Sequence, residues 1–189
     1  MVTGGLGYIG SHTVVELLSE GYDVLIVDNL YNSKMNCLER LKKITGKQEI
    51  KFVNADLKKY EEVDQIFESY KPTAVIHFAA LKAVGESVAK PLEYYDNNIS
   101  GTINLLKVMH KHKCNKIVFS SSACVYGDGK DKCVEEDSGT PTNPYGQTKS
   151  MIEQILKDYA KSNPEFLAIS LRYFNPVGAH PSGLIGEDP

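Results

Sequence analysis

The stretch TGGLGYIGSH, residues 3–12, decides the fold of this chain. It contains Gly5-x-Gly7-x-x-Gly10 and, overlapping it, Gly4-x-x-Gly7-x-x-Gly10, and a helical pattern follows directly. The early glycines allow a tight turn and a close approach of backbone to a pyrophosphate, while the last one lets the helix pack on the preceding strand. The stretch therefore predicts a dinucleotide-binding loop that leads into the N-terminus of a helix.

Two patterns alternate along the rest of the chain. Apolar, β-branched runs typical of buried parallel strands lie at 23–28, 50–56, 73–80, 115–122 and 166–174. Stretches of helical periodicity lie at about 10–20, 35–44, 60–70, 92–112 and 146–162. This alternation predicts an α/β protein with a doubly wound parallel sheet, the Rossmann fold.

The composition excludes several classes of function. The chain has 189 residues, 42% of them hydrophobic and 24% charged, and a formal net charge of −3, so it offers no basic field for nucleic acid or an anionic membrane. It contains neither an apolar run of the ~18 to 20 residues that span a membrane nor a signal peptide, which predicts a cytoplasmic protein. Scattered cysteines without C-x-x-C spacing predict free thiols and no metal site: Cys37, Cys114, Cys124 and Cys133.

Asp28 ends the apolar run YDVLIVD, which follows the glycine stretch and its helix. A carboxylate at this position accepts hydrogen bonds from the adenosine ribose hydroxyls and repels a 2′-phosphate, so the sequence predicts NAD rather than NADP. The structural alternative is a glycine-rich turn followed by a strand-end Asp that caps a helix. Motif, order and spacing together favour the dinucleotide site.

The stretch NPYGQTKS, residues 143–150, places Tyr145 and Lys149 four positions apart where a helix is predicted to begin. Positions i and i+4 share one helix face, and an ammonium beside a phenol favours the phenolate. Ser122, at the end of a predicted strand, could hold the substrate oxygen whose proton Tyr145 removes. An exposed Tyr/Lys pair and an ordinary strand-end serine are the alternative, but the nicotinamide fingerprint favours catalysis.

Longer segments extend this evidence over essentially the whole chain. They are VTGGLGYIGSHTVVELL, VDNLYNS, AVIHFAALKAVGESVAKPLEYYDNN, FSSSACVYG, NPYGQTKSMIEQIL and LRYFNPVGAHPSG. In these segments the chain resembles the extended short-chain dehydrogenase/reductase family and, within it, the group of UDP-glucose 4-epimerases. Cys124 departs from the threonine expected in that group, which puts local packing rather than chemistry in doubt.

The resemblance implies a set of site residues. Tyr145 is the catalytic base and acid, Lys149 tunes it and binds the nicotinamide ribose, and Ser122 holds the sugar's 4-oxygen. The implied cofactor-binding residues are Gly4, Gly7, Tyr8, Ile9, Gly10, Asp28, Asn29, Asn32, Ser33, Asp56, Leu57, Phe78, Ala79, Ala80, Lys82, Asn97, Ser122, Tyr145, Lys149, Tyr173 and Phe174. The implied substrate-binding residues are Lys82, Ser122, Tyr145 and Asn175.

The implied reaction is the NAD-dependent interconversion of UDP-galactose and UDP-glucose by inversion at C4 through a 4-keto sugar, a step of galactose metabolism. Nucleotide-sugar 4,6-dehydratases are an alternative, but they need an added Asp-Glu acid and base where this chain has Ala123 and Cys124. A catalytically silent NAD-binding module is a second alternative. Such a module has no need of Ser122, Tyr145 and Lys149 together.

We expect the sequence to be truncated at both ends. Only Met1 and Val2 precede the glycine turn, and the chain stops at GEDP. We expect residues 1–175 to form the NAD-binding domain and 176–189 to begin a substrate-binding region whose main part is missing, so that activity is impaired. By the resemblance, a full-length form is a homodimer through the helices at 92–112 and 146–162.

Overall fold

A computed structural model describes residues 1–128, 132–137 and 139–187. Six parallel strands form one sheet in the order β3-β2-β1-β4-β5-β6. The strands are β1 (Val2–Thr3), β2 (Leu25–Asp28), β3 (Lys51–Asn54), β4 (Val75–His77), β5 (Lys116–Ser122) and β6 (Leu167–Tyr173). The order reverses between β1 and β4, as it does in doubly wound dinucleotide-binding folds. The predicted fold class is confirmed.

The helices connect successive strands. They are α1 (Tyr8–Ser19), α2 (Asn36–Thr45), α3 (Tyr60–Tyr70), α4 (Val84–Ala89), α5 (Pro91–Tyr95), α6 (Gly101–Lys111) and α7 (Pro144–Ser162), with a π-helical turn at Asp96–Ser100 and a 3-10 turn at Ala123–Tyr126. The predicted helix at 92–112 is therefore three segments, because the π-helical turn interrupts it. The pattern missed α4, since six residues are too few to show a helical period.

Strand β1 is short but central. Val2 pairs with Ile26 of β2 and Ile76 of β4, so its backbone is hydrogen-bonded on both sides. The α-ammonium of Met1 also donates to the carbonyl oxygen of Ala74 at 2.9 Å. The strand ends directly at the glycine turn, which fixes the position of that turn at the middle of the sheet.

Two apolar cores lie on opposite faces of the sheet. One joins the sheet to α3, α6 and α7 through side chains such as Phe67, Leu105 and Ile152, and the other joins it to α1 and α2 through Val14 and Leu41. Each fully buried side chain of this size contributes roughly 1.5–3 kcal/mol. The carboxyl ends of all six strands meet at one edge, and the polar residues predicted to form the site lie along it.

Candidate active site

Close backbone packing explains the glycines of the loop after β1. Gly4 has a φ of +66°, and a Cβ on it would lie 2.7 Å from the backbone nitrogen of Ala79. A Cβ on Gly10 would lie 2.2 Å from the carbonyl oxygen of Gly4. Any larger residue would separate α1 from β1 or the loop from β4, so the loop requires glycine at both positions.

Helix α1 begins directly after this loop without a side-chain cap. Gly7 is the N-cap residue, and it has no side chain that could accept a hydrogen bond from the first turn. The amides of Tyr8 and Ile9 belong to the group that has no partner within the helix, and the helix dipole adds partial positive charge there. The loop and first turn therefore fit a pyrophosphate, as the sequence predicts.

Asp28 is buried at the end of β2, and its carboxylate ties three segments together. One oxygen accepts from the amide of Leu6 at 3.0 Å, and the other accepts from the amide of Leu30 at 2.9 Å and the hydroxyl of Ser33 at 2.8 Å. Asp28 thus orders the glycine loop as well as presenting a negative charge. Asp28 therefore lies at the strand end where the sequence predicts the adenosine ribose.

The other residues predicted to bind the cofactor line the same edge of the sheet. Asp56 and Leu57 follow β3, and the Asp56 carboxylate accepts from the amide of Lys58 at 2.9 Å. Phe78, Ala79, Ala80 and Lys82 follow β4, while Asn29 and Asn32 follow β2. Asn97 lies in the π-helical turn and donates to Asn98 at 3.0 Å.

Ser122, Tyr145 and Lys149 come together from β5 and α7. Both Ser122 and Lys149 are buried, and the hydroxyl of Ser122 acts on Tyr145 by lowering the pKa of its phenol. The Lys149 Nζ lies 5.7 Å from the centre of the Tyr145 ring and donates to the carbonyl oxygen of Ser120 at 2.7 Å. The structure therefore brings the three predicted catalytic side chains to one place.

Burial dominates the electrostatics of this group. It lowers the pKa of Lys149 to about 7, because the buried ammonium loses its solvent. Burial also raises the pKa of Tyr145 above its usual value, while the hydroxyl of Ser122 acts in the opposite direction. The sequence predicts that Lys149 favours the phenolate, but in this structure desolvation is the larger effect on Tyr145.

The start of α7 explains why Tyr145 lies where it does. The Asn143 side chain caps the helix by accepting from the amide of Gly146 at 2.8 Å, and Pro144 occupies the first turn. A Cβ on Gly146 would lie 3.0 Å from both the Cβ and the carbonyl oxygen of Cys124. Glycine there lets α7 approach the segment that follows Ser122.

The end of β6 supplies the remaining predicted residues. Tyr173 pairs in register with Ser122, and its ring centre lies 6.4 Å from that of Phe78. The exposed ring of Phe174 lies 6.1 Å from that of Tyr126, and Asn175 is exposed just beyond. Tyr173 therefore joins the group around Ser122, whereas Phe174 and Asn175 lie at the rim.

A buried polar chain beneath the site was not predicted. The Thr102 hydroxyl donates to the carbonyl oxygen of Asn98 at 2.6 Å, so its oxygen accepts from Nε2 of His77, 2.9 Å away. Nδ1 of His77 must then accept from the Thr3 hydroxyl at 2.7 Å. Burial lowers the pKa of His77 to about 3, which keeps it neutral. His77 is a packed core residue, as its apolar strand suggests.

Asn98 continues this chain to the catalytic helix. Its side chain accepts from the amide of Leu81 at 2.8 Å and donates to the Leu81 carbonyl at 3.0 Å and the Thr148 hydroxyl at 3.1 Å. Thr148 in turn donates to the carbonyl oxygen of Tyr145 at 2.7 Å. The sequence signal was a second asparagine beside Asn97, but only the fold shows which of the two is buried.

A partly buried ion pair on α7 was also missed. Arg172 donates to both carboxylate oxygens of Glu153, at 3.0 and 2.8 Å, and the Ser121 hydroxyl donates to the same carboxylate. Arg172 also donates to the carbonyl oxygen of Glu135 at 3.0 Å. Glu153 lies four residues after Lys149, so the spacing that identified the Tyr/Lys pair could have indicated it.

Among residues 1–128, 132–137 and 139–187, three or more His, Cys, Asp or Glu side chains do not gather in any arrangement that could hold a metal ion. All four cysteines are free thiols. Within the described part of the chain, no helix combines the length and apolar character needed to cross a membrane. Residues 188 and 189 of the predicted second region lie outside the described residues.

Comparison with known proteins identifies relatives along the whole chain. A family model described as the NAD dependent epimerase/dehydratase family matches residues 1–187. UDP-glucose 4-epimerase from Dictyostelium discoideum is 58% identical over 190 residues, which cover 100% of this chain and 55% of that relative. The chain thus spans about half the length of the curated relatives it matches.

Two solved structures of UDP-glucose 4-epimerases are also similar to the chain. UDP-glucose 4-epimerase from Bifidobacterium longum, in complex with NAD+ and UDP, has a TM-score of 0.94 and 53% identity, covering 100% of this chain and 56% of that one. The enzyme from Stenotrophomonas maltophila, with bound NAD and formylated UDP-arabinopyranose, has a TM-score of 0.94 and 49% identity, with 100% and 56% covered.

Proposed function

The chain belongs to the NAD dependent epimerase/dehydratase family, and we propose that it forms the cofactor-binding and catalytic part of an enzyme that interconverts UDP-galactose and UDP-glucose. The observation that carries this proposal is the meeting of Ser122, Tyr145 and Lys149 beside a glycine loop shaped for a pyrophosphate. The proposal is supported by the sequence identity of 58% and 53% that the chain, along its whole length, shares with two UDP-glucose 4-epimerases.

Tyr145 is the group that moves the proton in the proposed reaction. As phenolate it takes the proton of the sugar 4-hydroxyl, and it returns this proton after the sugar has turned over in the site. Ser122 holds the 4-oxygen by a hydrogen bond, and its hydroxyl lowers the pKa of Tyr145. Lys149, held by the carbonyl oxygen of Ser120, supplies positive charge beside the phenolate and reaches the nicotinamide ribose.

NAD bound here would supply reversible hydride transfer at C4 of the sugar, and return of the hydride to the opposite face of the 4-keto sugar would leave no net redox change. The glycine loop and the first turn of α1 hold its pyrophosphate, and Asp28 holds the adenosine ribose. Lys82 and Asn97 line the trough between these points. Asn175, the last residue of the NAD-binding domain, begins the UDP-sugar site, and the region 176–189 leads from it into the substrate-binding part.

The rival dehydratase reaction needs a further acid and base next to Ser122. Ala123 and Cys124 occupy those positions in the 3-10 turn, and neither transfers protons as a carboxylate does. The chemistry of the site therefore favours epimerisation. Its cytoplasmic location and its assembly as a homodimer through 92–112 and 146–162 stay predictions.

The activity test joins this chain to the part of the D. discoideum relative that it does not cover. We expect the chimera to convert UDP-galactose to UDP-glucose, because the added part supplies substrate binding energy that places C4 about 3 to 3.5 Å from the nicotinamide. The 189-residue chain alone should turn over little. Tyr145→Phe in the chimera should remove activity and leave NAD bound, since only the proton-transfer group is lost.

Two results would contradict this proposal. Full turnover by the Tyr145→Phe chimera would show that another group moves the proton. Formation of a 4-keto-6-deoxy sugar in place of UDP-glucose would identify the dehydratase reaction instead. Tyr22→Phe, an exposed tyrosine at the opposite end of the sheet, is the matched control.

A further inference from the structure

The crevice between the loops after β1 and β4 is the place where a doubly wound sheet binds a dinucleotide, because the strand order reverses there. The glycine loop bounds it on one side, and the segment 78–83 between β4 and α4 bounds it on the other. The inference below rests on the dinucleotide site of the proposed function and concerns a part of the chain outside these two loops.

Residues 178–187 form a small hairpin, here named the C-terminal hairpin. Ala179 and Gly186 make an antiparallel bridge, and the amide of His180 donates to the carbonyl oxygen of Ile185 at 3.0 Å. Gly183, with a φ of +68°, closes the turn by donating to the carbonyl oxygen of His180 at 2.8 Å. These internal bonds make the hairpin a unit that can move as one body.

The hairpin is fastened to the glycine-loop side of the crevice. The hydroxyl of Tyr8, the first residue of α1, donates to the carbonyl oxygen of Gly178 at 2.7 Å. The ring centres of His12 and His180 lie 6.4 Å apart. Ile185 is 4% exposed and belongs to the same apolar core as Leu6. The hydrogen bond from Tyr8 and the buried side chain of Ile185 thus attach the hairpin to this side of the crevice.

The hairpin also reaches the opposite side of the crevice. The Lys82 Nζ lies 3.5 Å from a carboxylate oxygen of Glu187. Both side chains are exposed, so this ion pair adds little stability, but it shows that the hairpin spans the gap. Residues 174–177, which connect it to β6, are exposed, and Gly178 follows them with a φ of +120°.

We propose that the C-terminal hairpin is the outer wall of the dinucleotide crevice and a gate to it, which opens when the hydrogen bond from Tyr8 to Gly178 breaks and Ile185 leaves the apolar core. The exposed connection at 174–177 is the hinge. A closed gate keeps the cofactor in place between turnovers, which suits a dinucleotide that is regenerated in every cycle rather than exchanged.

A gate has a kinetic signature that an ordinary contact lacks. Because a gate over the crevice must open for any passage of the dinucleotide, both entry and exit wait for the same opening. Loosening the hairpin therefore raises the association and dissociation rates by the same factor and leaves the dissociation constant unchanged. Loss of a direct contact to the ligand raises mainly the dissociation rate and weakens binding.

The test uses the 189-residue chain and NADH, followed by its own fluorescence in stopped flow. Tyr8→Phe keeps the ring, which lies 5.3 Å from that of His12, and removes only the hydroxyl. One lost hydrogen bond should raise both rates about fivefold. Ile185→Val, which trims the anchor by one methylene, should act in the same direction. Tyr22→Phe, exposed and remote from the crevice, should change neither rate.

Unchanged rates in both Tyr8→Phe and Ile185→Val would overturn the gate. So would a faster dissociation matched by weaker binding, because that result assigns the effect to a direct contact. The melting temperature of each variant shows whether the fold is intact. Failure of the unaltered chain to bind NADH would contradict the dinucleotide site itself, whereas loss of sugar turnover in the chimera would not affect these rates.

Discussion

Lys149 shows how far burial alone can change the chemistry of one residue. Its ammonium is surrounded by the rings of Phe119 and Tyr145, 4.8 and 5.7 Å from their centres, and by the carbonyl oxygen of Ser120. Desolvation brings its pKa to about 7, so charged and neutral forms coexist near neutral pH. A charge placed in the site can therefore change the protonation state of Lys149, whereas an arginine at this position would stay charged.

This pKa predicts a pH dependence of stability. Below about pH 7 both the folded and the unfolded chain hold the Lys149 proton, and between there and its ordinary value of 10.5 only the unfolded chain does. The free energy of unfolding therefore rises with pH across this window, by an amount on the order of a few kcal/mol. Lys149→Met removes that rise. The melting temperature of the variant minus that of the unaltered chain should therefore fall between about pH 6 and pH 10.

Melting curves at several pH values test this expectation. Lys161→Met, which changes an exposed lysine of the same helix, is the control and should give a difference that varies little with pH. A pH-independent difference for Lys149→Met would show that the buried lysine keeps an ordinary pKa.

Asp28 predicts the choice between the two nicotinamide dinucleotides. If its buried carboxylate binds the adenosine ribose as proposed, a 2′-phosphate meets a like charge there, so the chain should bind NADH at least about tenfold more tightly than NADPH. Asp28→Asn removes the charge and keeps an acceptor for the amide of Leu6. This variant should show a smaller difference in affinity between NADH and NADPH. Fluorescence titration of both cofactors measures it, with Asp23→Asn, an exposed neighbour, as control. Equal affinities in the unaltered chain would refute the assignment.

At the scale of elements, one ion pair joins α7, β5 and β6. Glu153 lies on the face of α7 that carries Tyr145 and Lys149, and it binds Ser121 of β5 and Arg172 of β6. The Arg172 guanidinium also lies 4.7 Å from the centre of the Tyr126 ring. This pair therefore fixes how the catalytic helix sits against the strand that ends in Ser122.

Removing one partner of this ion pair should lower the free energy of unfolding more than replacing both partners by apolar residues. Arg172→Met leaves the Glu153 carboxylate buried without its cation, which should lower the free energy of unfolding by about 3–5 kcal/mol. Adding Glu153→Leu removes the unpaired charge and should restore a large part of the loss. Urea unfolding of the single and double variants measures the difference. A double variant no more stable than Arg172→Met alone would show that the ion pair is not the source of the loss.

At the scale of the whole molecule, one face of β6 is left uncovered. Leu167, Ile169 and Leu171 alternate along this edge strand and are 60%, 59% and 43% exposed. Within residues 1–128, 132–137 and 139–187, β6 pairs with β5 alone, so its other backbone edge lies unpaired beside this apolar stripe. Exposed edges with apolar side chains favour association between chains.

The 189-residue chain should therefore self-associate as its concentration rises. Ile169→Lys places a charge in the middle of the apolar stripe and should reduce association, as seen by light scattering and sedimentation. Ser170→Lys adds the same charge on the opposite face of the strand and is the matched control. Equal association of the two variants would show that the stripe is not the contact surface.

By itself, the sequence determined the features that depend on neighbours along the chain. Alternating strand and helix periods specify the doubly wound sheet, and a glycine at positions 4, 7 and 10 specifies the turn, because both arise from local backbone geometry. The spacing of Tyr145 and Lys149 places them on one helix face for the same reason. The π-helical turn at Asp96–Ser100 escaped this reasoning, since its residues fit an ordinary helix equally well.

Only the tertiary structure decided what depends on residues distant in sequence. The pKa of Lys149 follows from burial against β5, the tautomer of His77 from partners on β1 and α6, and the pairing of Glu153 from an arginine on β6. The C-terminal hairpin reaches Tyr8 across most of the chain. Desolvation and hydrogen bonding are set by which atoms surround a group in space, and no period or spacing along the sequence specifies that.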